Sequence, residues 1–193
     1  MELIQLLRRD TEHDHQVLER SLVRKLKAIR TLDEYVDLLR LMNGFYRAME
    51  SQLQRYLLSD PHLDFKSRRK SDWLVTDMKI FGVTDQEYDG PSLAEIDSFA
   101  SALGSMYVLE GSTLGGQIIA KMLRQQLGTE TDEGFSFFVS YGAETPAMWE
   151  RFKEYLSRPF ADNERREIVR GAKDTFTSFR RWIEQHELER TSK

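Results

Sequence analysis

The sequence predicts an all-α protein folded as a single domain over residues 1–193. Three observations predict it. Apolar residues recur every three or four positions along most of the chain, the period of a helix with one buried face. Alternating strand patterns are almost missing, the best candidate being Gly134–Tyr141. The four prolines, Pro61, Pro91, Pro146 and Pro159, fall in short gaps between the periodic segments. With 40% hydrophobic and 31% charged residues, a chain of 193 residues can bury its own core without covalent staples.

The helices read, in order, 2–28 with a break near Ser21, 32–58, 66–81, 93–127, 146–157 and 163–189. Thr31-Leu-Asp-Glu34 and Ser92-Leu-Ala-Glu95 fit the capping box that opens a helix. Thr145-Pro146 places proline at a first helical position, where its missing N–H costs nothing. Gly82 and Gly128 suit helix C-caps.

Composition removes several function classes. There is no cysteine, which excludes disulfides, zinc–thiolate sites, iron–sulfur clusters and a cysteine nucleophile. No run of about 18 apolar residues suggests a membrane span. A net charge of −4 argues against nucleic acid as a partner. The first residues lack the basic start and apolar run of a secretory signal, so a cytoplasmic location is expected.

The first helix carries an anomaly. Leu3, Leu7, Leu18 and Leu22 mark one face, and the same period places Thr11 and His15 in the middle of that stripe. Such a gap implies a cavity or buried partners for the polar groups. An imidazole there can ligate a metal, or be an ordinary hydrogen-bonded core histidine. His13, about 200° round the helix, points away. Glu12-His13-Asp14-His15 contains one Glu-x-x-His unit, but a di-iron bundle needs two. His62 and His186 follow Ser59 and Ile183, so no second unit exists.

The segment 103–123 is the second anomaly. Leu103, Tyr107, Leu114, Ile118 and Met122 recur at helical spacing, yet Gly104, Gly111, Gly115 and Gly116 interrupt it. Each interior glycine costs roughly 0.5–1 kcal/mol relative to alanine. Either close helix–helix packing offsets this cost, or a flat ligand lies directly on the backbone. The pattern leaves both open.

Thr11-x-x-x-His15-x-x-x-Glu19 and Tyr107-Val-Leu-Glu-Gly-Ser-Thr-Leu-Gly-Gly-Gln117 resemble the proximal and distal helix motifs of the haem oxygenase family, especially its bacterial, biliverdin-producing members. Phe45-Tyr-Arg-Ala-Met-Glu50 and Ala172-x-x-x-Phe176-x-x-Phe179-x-x-Trp182 are similar to further family segments, so the resemblance runs in order along nearly the whole chain. It implies a helical bundle of the haem-oxygenase-like type, with haem between a proximal and a kinked distal helix. It implies His15 as axial iron ligand and Gly111, Ser112 and Gly115 as the distal oxygen-side residues. Arg8 and Lys153 are similar in position to propionate-binding residues, and each could equally be a solvated surface charge. Tyr107 reaches a propionate or simply packs. Phe176, Phe179 and Trp182 line the haem edge or form core.

The implied reaction consumes haem, dioxygen and electrons and yields biliverdin, carbon monoxide and ferrous iron. Haem is both substrate and cofactor, and the electrons come from an external reductase or ferredoxin. The implied roles are iron acquisition or supply of biliverdin to a bacteriophytochrome. One departure stands out. Animal members carry an aspartate where this chain has Ser112, which leaves open what orders the distal water. The rival readings are a non-catalytic haem or tetrapyrrole carrier of the same fold, a thiamin-degrading enzyme, here without its usual cysteine, and a plain helical interaction module.

Overall fold

The structure is a computed structural model that describes residues 1–68, 70–84 and 90–191, with the side chains of the last helix as far as Glu187. The described residues form the helices α1 Leu3–Ala28, α2 Leu32–Leu57, α3 Ser71–Ile80, α4 Phe99–Gly111, α5 Thr113–Leu127, α6 Ser136–Val139, α7 Thr145–Leu156 and α8 Asp162–Thr191. Among the described residues there is no strand, and no helix is long and apolar enough to cross a membrane. Residues 69, 85–89 and 192–193 of the expected domain lie outside the described residues.

The α1 helix is continuous through Ser21, contrary to the expected break. Leu3, Leu7, Leu18 and Leu26 are buried along its inner face, each contributing about 1.5–3 kcal/mol by leaving water. Thr31 opens α2 as the sequence predicts. Its hydroxyl accepts from the Glu34 amide, and the Glu34 carboxylate accepts from the amides of Arg30 and Thr31; a cap of this kind is worth about 1 kcal/mol. Gly82 and Gly128 adopt left-handed φ values of +74° and +67° just after α3 and α5, as expected of C-caps.

Further local expectations differ from the structure, each for a visible reason. The helix predicted from Leu93 begins only at Phe99, because the amides of Ala94 and Ile96 donate to Ser178 and Gln52 side chains instead. The capping box is formed by Ser98 and Ser101, not by Ser92 and Glu95. The helix predicted from Lys66 begins at Ser71, whose amide and hydroxyl both donate to Glu50 at 2.7 Å. The strand-like run Gly134–Tyr141 is the single-turn helix α6 with flanking turns. The Asp77 carboxylate accepts the Ser136 and Phe137 amides at 2.8 and 2.9 Å and fixes that turn.

The long C-terminal helix α8 organises the fold, with both α1 and α4 packed along it. At the α4–α8 crossing the backbones touch. A Cβ on Gly104 would run into the Ile168 carbonyl, and one on Gly171 into the Ser101 carbonyl. Phe45 stacks on Phe179 at 4.2 Å, and the Trp182 indole N–H donates to the Leu41 carbonyl, locking α2 to α8. Small residues at the crossing and aromatics beside it therefore set the positions of α1, α2 and α4 relative to one another.

Candidate functional site

The α1 helix and the α4–α5 pair are tied together at two levels. Near the start of α1, the positive charge of Arg8 acts on Tyr107 of α4, opposing the upward push that burial gives the phenol. At the far end, Gln126 of α5 donates to the Leu26 and Ile29 carbonyls at 3.1 and 2.7 Å, satisfying the open C-terminus of α1. Arg8 to Leu26 spans 18 residues and Tyr107 to Gln126 spans 19, about 27 and 28 Å at helical rise. The two segments therefore run side by side in the same direction. His15 lies seven residues beyond Arg8, and Leu114 seven beyond Tyr107. Counted along the chain from these ties, His15 and the glycine-broken stretch Gly111–Gly115 fall at matching places.

Thr11 is buried and donates its hydroxyl to the Leu7 carbonyl at 2.7 Å, so half of the polar gap is settled inside α1. His15 is not a core residue, since 60% of its side chain is exposed. Its ring edge rests on buried Phe176 of α8, centroids 5.7 Å apart. Its Nδ1 faces Glu19 at 3.9 Å, directing Nε2 away from that carboxylate. His13 is exposed as predicted.

On the other wall, α4 ends at Gly111 and α5 begins at Thr113, with Ser112 forming the break. The predicted single helix is therefore two. The four glycines divide cleanly. Gly104 and Gly116 are packing glycines, with Gly116 pressed on the Phe138 carbonyl. Gly111 and Gly115 are not. A Cβ on Gly111 would make only ordinary contact with Trp149 at 3.7 Å, and one on Gly115 would meet nothing within 4 Å. Beside them Leu114 and Ile118 are 47% and 75% exposed. An apolar helix face with bare backbone on α5 and an exposed histidine on α1 are the kinds of surface that a flat, largely apolar ligand with a metal at its centre requires.

The remaining predicted residues divide as well. Tyr107 packs on Trp149 at 5.6 Å. Lys153, one turn beyond Trp149, pairs with Glu150 at 2.7 Å while staying partly exposed. Arg8 is exposed on α1. Phe179 is 5% exposed and lies in the core against Phe45 and Tyr46, supporting the cleft from behind. No group of acidic and histidine side chains able to hold a metal by itself occurs among the described residues.

Two features escaped the sequence. The Tyr46 and Ser112 hydroxyls lie 3.0 Å apart. Ser112 donates its own proton to the Leu109 carbonyl at 2.7 Å, so Tyr46 is the donor of the pair. The aromatic at position 46 was visible in the second-helix motif, but not its partner. Arg68 and Glu110 form a buried ion pair at 2.6 Å, 4% and 5% exposed. No local pattern joins residues 42 positions apart.

A family model for haem oxygenase ("Heme oxygenase") matches residues 1–185. A haem oxygenase of Xanthomonas campestris pv. campestris is 30% identical over 151 residues, covering 76% of this chain and 87% of the relative. The fold is shared with the structure of haem oxygenase from Leptospira interrogans, with a TM-score of 0.77, 21% identity, and coverage of 96% of this chain and all of the other. It is shared equally with NO- and CO-bound haem oxygenase from Neisseria meningitidis, with a TM-score of 0.74, 21% identity, and coverage of 96% and 92%. The motif at His15, the broken helix opposite it and the match along residues 1–185 agree, and the chain belongs to the haem oxygenase family.

Proposed function

We propose that this protein binds haem in the cleft between α1 and α4–α5, with His15 as the axial ligand, and degrades it to biliverdin. The observation that carries this reading is that His15 is exposed on α1 while Gly115, Leu114 and Ile118 leave bare apolar surface on α5. Bound haem supplies oxygen activation and is itself the substrate, opened at a meso carbon with release of carbon monoxide and ferrous iron.

The chain's own residues do the rest. Glu19, 3.9 Å from Nδ1 of His15, is near enough to take its N–H on a small side-chain adjustment, leaving Nε2 for the iron. Phe176 steadies the same ring from below. Gly111 and Gly115 bring bare backbone to the distal side and limit the space there. Tyr46 holds the Ser112 hydroxyl at the break, where it orders the water that delivers protons. Arg8, Lys153 and Tyr107 pair with the propionates at the mouth of the cleft, Lys153 exchanging Glu150 for the ligand. The exposed mouth admits an external electron donor, a reductase or a ferredoxin. The location we propose is cytoplasmic, with biliverdin passing to a bacteriophytochrome or iron to the cell.

The test is to incubate the haem complex with ascorbate or a reductase in air. Loss of the Soret band with growth of a biliverdin spectrum is expected. A persistent ferrous–oxy complex would instead make the protein a carrier.

A further inference from the structure

The break between α4 and α5 is held by contacts to its own flanking residues. Glu110 immediately precedes Gly111. Its carboxylate is buried and accepts from two donors: Arg68 at 2.6 Å, and the Tyr141 hydroxyl, which lies 3.1 and 3.3 Å from the two oxygens. Arg68 is tied in turn to the Leu63 carbonyl at 2.9 Å and the Met148 carbonyl at 3.4 Å, and lies over the Phe152 ring. The carbonyl of Glu110 accepts the Thr113 hydroxyl at 2.7 Å, across the break.

On the far side of the break, Gln117 donates to the Gly142 carbonyl at 2.7 Å, and Gly116 rests on the Phe138 carbonyl. Tyr141 and Gly142 are neighbours. One short connection, residues 138–142, therefore grips the last turn of α4 through Tyr141 and the first turns of α5 through Gly142 and Phe138. This is the geometry of a splint laid across a joint.

A buried ion pair is a poor way to gain stability, because desolvation offsets the attraction and apolar replacements of similar volume are often as stable. Its attested value is in fixing one arrangement over others. A glycine-broken helix has several nearby arrangements, since Gly111 and Gly115 leave its backbone soft. We infer that Arg68, Glu110, Tyr141 and Gly142 form a splint that sets the angle between α4 and α5, and that Arg68, Glu110 and Tyr141 are positioning residues for haem oxidation. They act through Gly111 and Ser112 without touching the substrate. The inference rests on the haem reading of the cleft for its catalytic part, and on protein contacts alone for the splint.

The experiment uses two variants of the full chain. Tyr141→Phe removes one hydroxyl from the splint. Arg68→Met combined with Glu110→Leu replaces the ion pair with apolar side chains and leaves no charge buried alone. Amide hydrogen exchange is followed in the haem-free protein, which reads the splint without reference to any activity. In both variants the amides of Ser112–Leu114 are expected to exchange about tenfold faster while those of α1 and α8 keep their protection. In the haem complex, kcat is expected to fall about 10- to 100-fold, the scale of a small misplacement of reacting groups, with haem affinity changed less than about threefold.

Exchange that is unchanged at the break, or accelerated uniformly through the fold, overturns the splint. Local loosening with unaltered kcat overturns the positioning role. A wild type that never turns haem over overturns the proposed function, while the exchange result still decides the splint.

Discussion

Replacing Gly115 by alanine separates the two explanations for the glycine cluster, because they predict opposite signs. Gly115 has an ordinary helical backbone and open space where a Cβ would go. Alanine there lowers the conformational entropy of the unfolded chain and favours the helix by about 0.5–1 kcal/mol, toward the lower end in a first turn. For a domain of this size that raises Tm by about 1–4 °C. The same methyl group occupies the surface we assign to haem. Overpacking of that kind costs about 1–3 kcal/mol, so haem affinity should fall about 5- to 150-fold. The assay is a thermal melt of the haem-free protein beside a Soret titration with haem. A variant that is more stable when empty and weaker toward haem supports the account. A lower Tm, or an unchanged haem affinity, would refute the claim that this face is kept bare for the ligand.

Gly116→Ala should behave in the opposite way, since its Cβ meets the Phe138 backbone carbonyl, which cannot swing aside; a cost of about 1–3 kcal/mol should lower Tm by roughly 3–10 °C. Ser112→Ala removes the acceptor of the Tyr46 hydroxyl; a loss of about 1 kcal/mol in a melt is expected, together with slower biliverdin formation at unchanged haem affinity. Burial raises the carboxyl pKa of Asp77 above its ordinary 3.8, against the pull of the amides of Phe137 and Ser136. The native state therefore holds this proton more tightly than the unfolded chain. The stability of wild type relative to Asp77→Asn should be greatest below the ordinary value and decline as pH rises through the raised one. Paired denaturant melts across that window measure it, and a difference that grows with pH would contradict the burial argument.

Much of the fold is legible in the sequence because its signals are local. Thr31 and Glu34, Pro146, Gly82 and Gly128 act within a few residues of themselves, and the structure uses each as read. The failures mark places where a distant group wins. Ser92 lost its helix because Gln52 and Ser178 claim the amides that follow it. The aromatic run at Phe135–Phe138 mimics a strand because all its rings find core partners, while Asp77 supplies the cap that makes it a turn of helix.

The candidate site was legible in the same measure. Periodicity singled out position 15 and the glycine cluster, but misjudged what kind of place they occupy. His15 follows the inner stripe of α1 and yet lies largely exposed, its ring resting on Phe176 of α8, while Leu18 and Leu26 beyond it are buried again. Nor could spacing tell Gly111 and Gly115 from Gly104 and Gly116. The difference lies wholly in what faces each one: open space or side-chain contact for the first pair, a carbonyl for the second. The Arg68–Glu110 pair and the Tyr46–Ser112 pair belong to the tertiary fold alone.

The central claim is that His15 presents a ring nitrogen to haem iron, and haem titrations of wild type and His15→Ala test it most directly. Wild type should form a one-to-one ferric complex with the spectrum of a histidine-ligated haem. His15→Ala should give a different ferric spectrum and no biliverdin on reduction in air, with added imidazole restoring the wild-type spectrum. A His15→Ala protein that binds haem with an unchanged ferric spectrum would contradict the account.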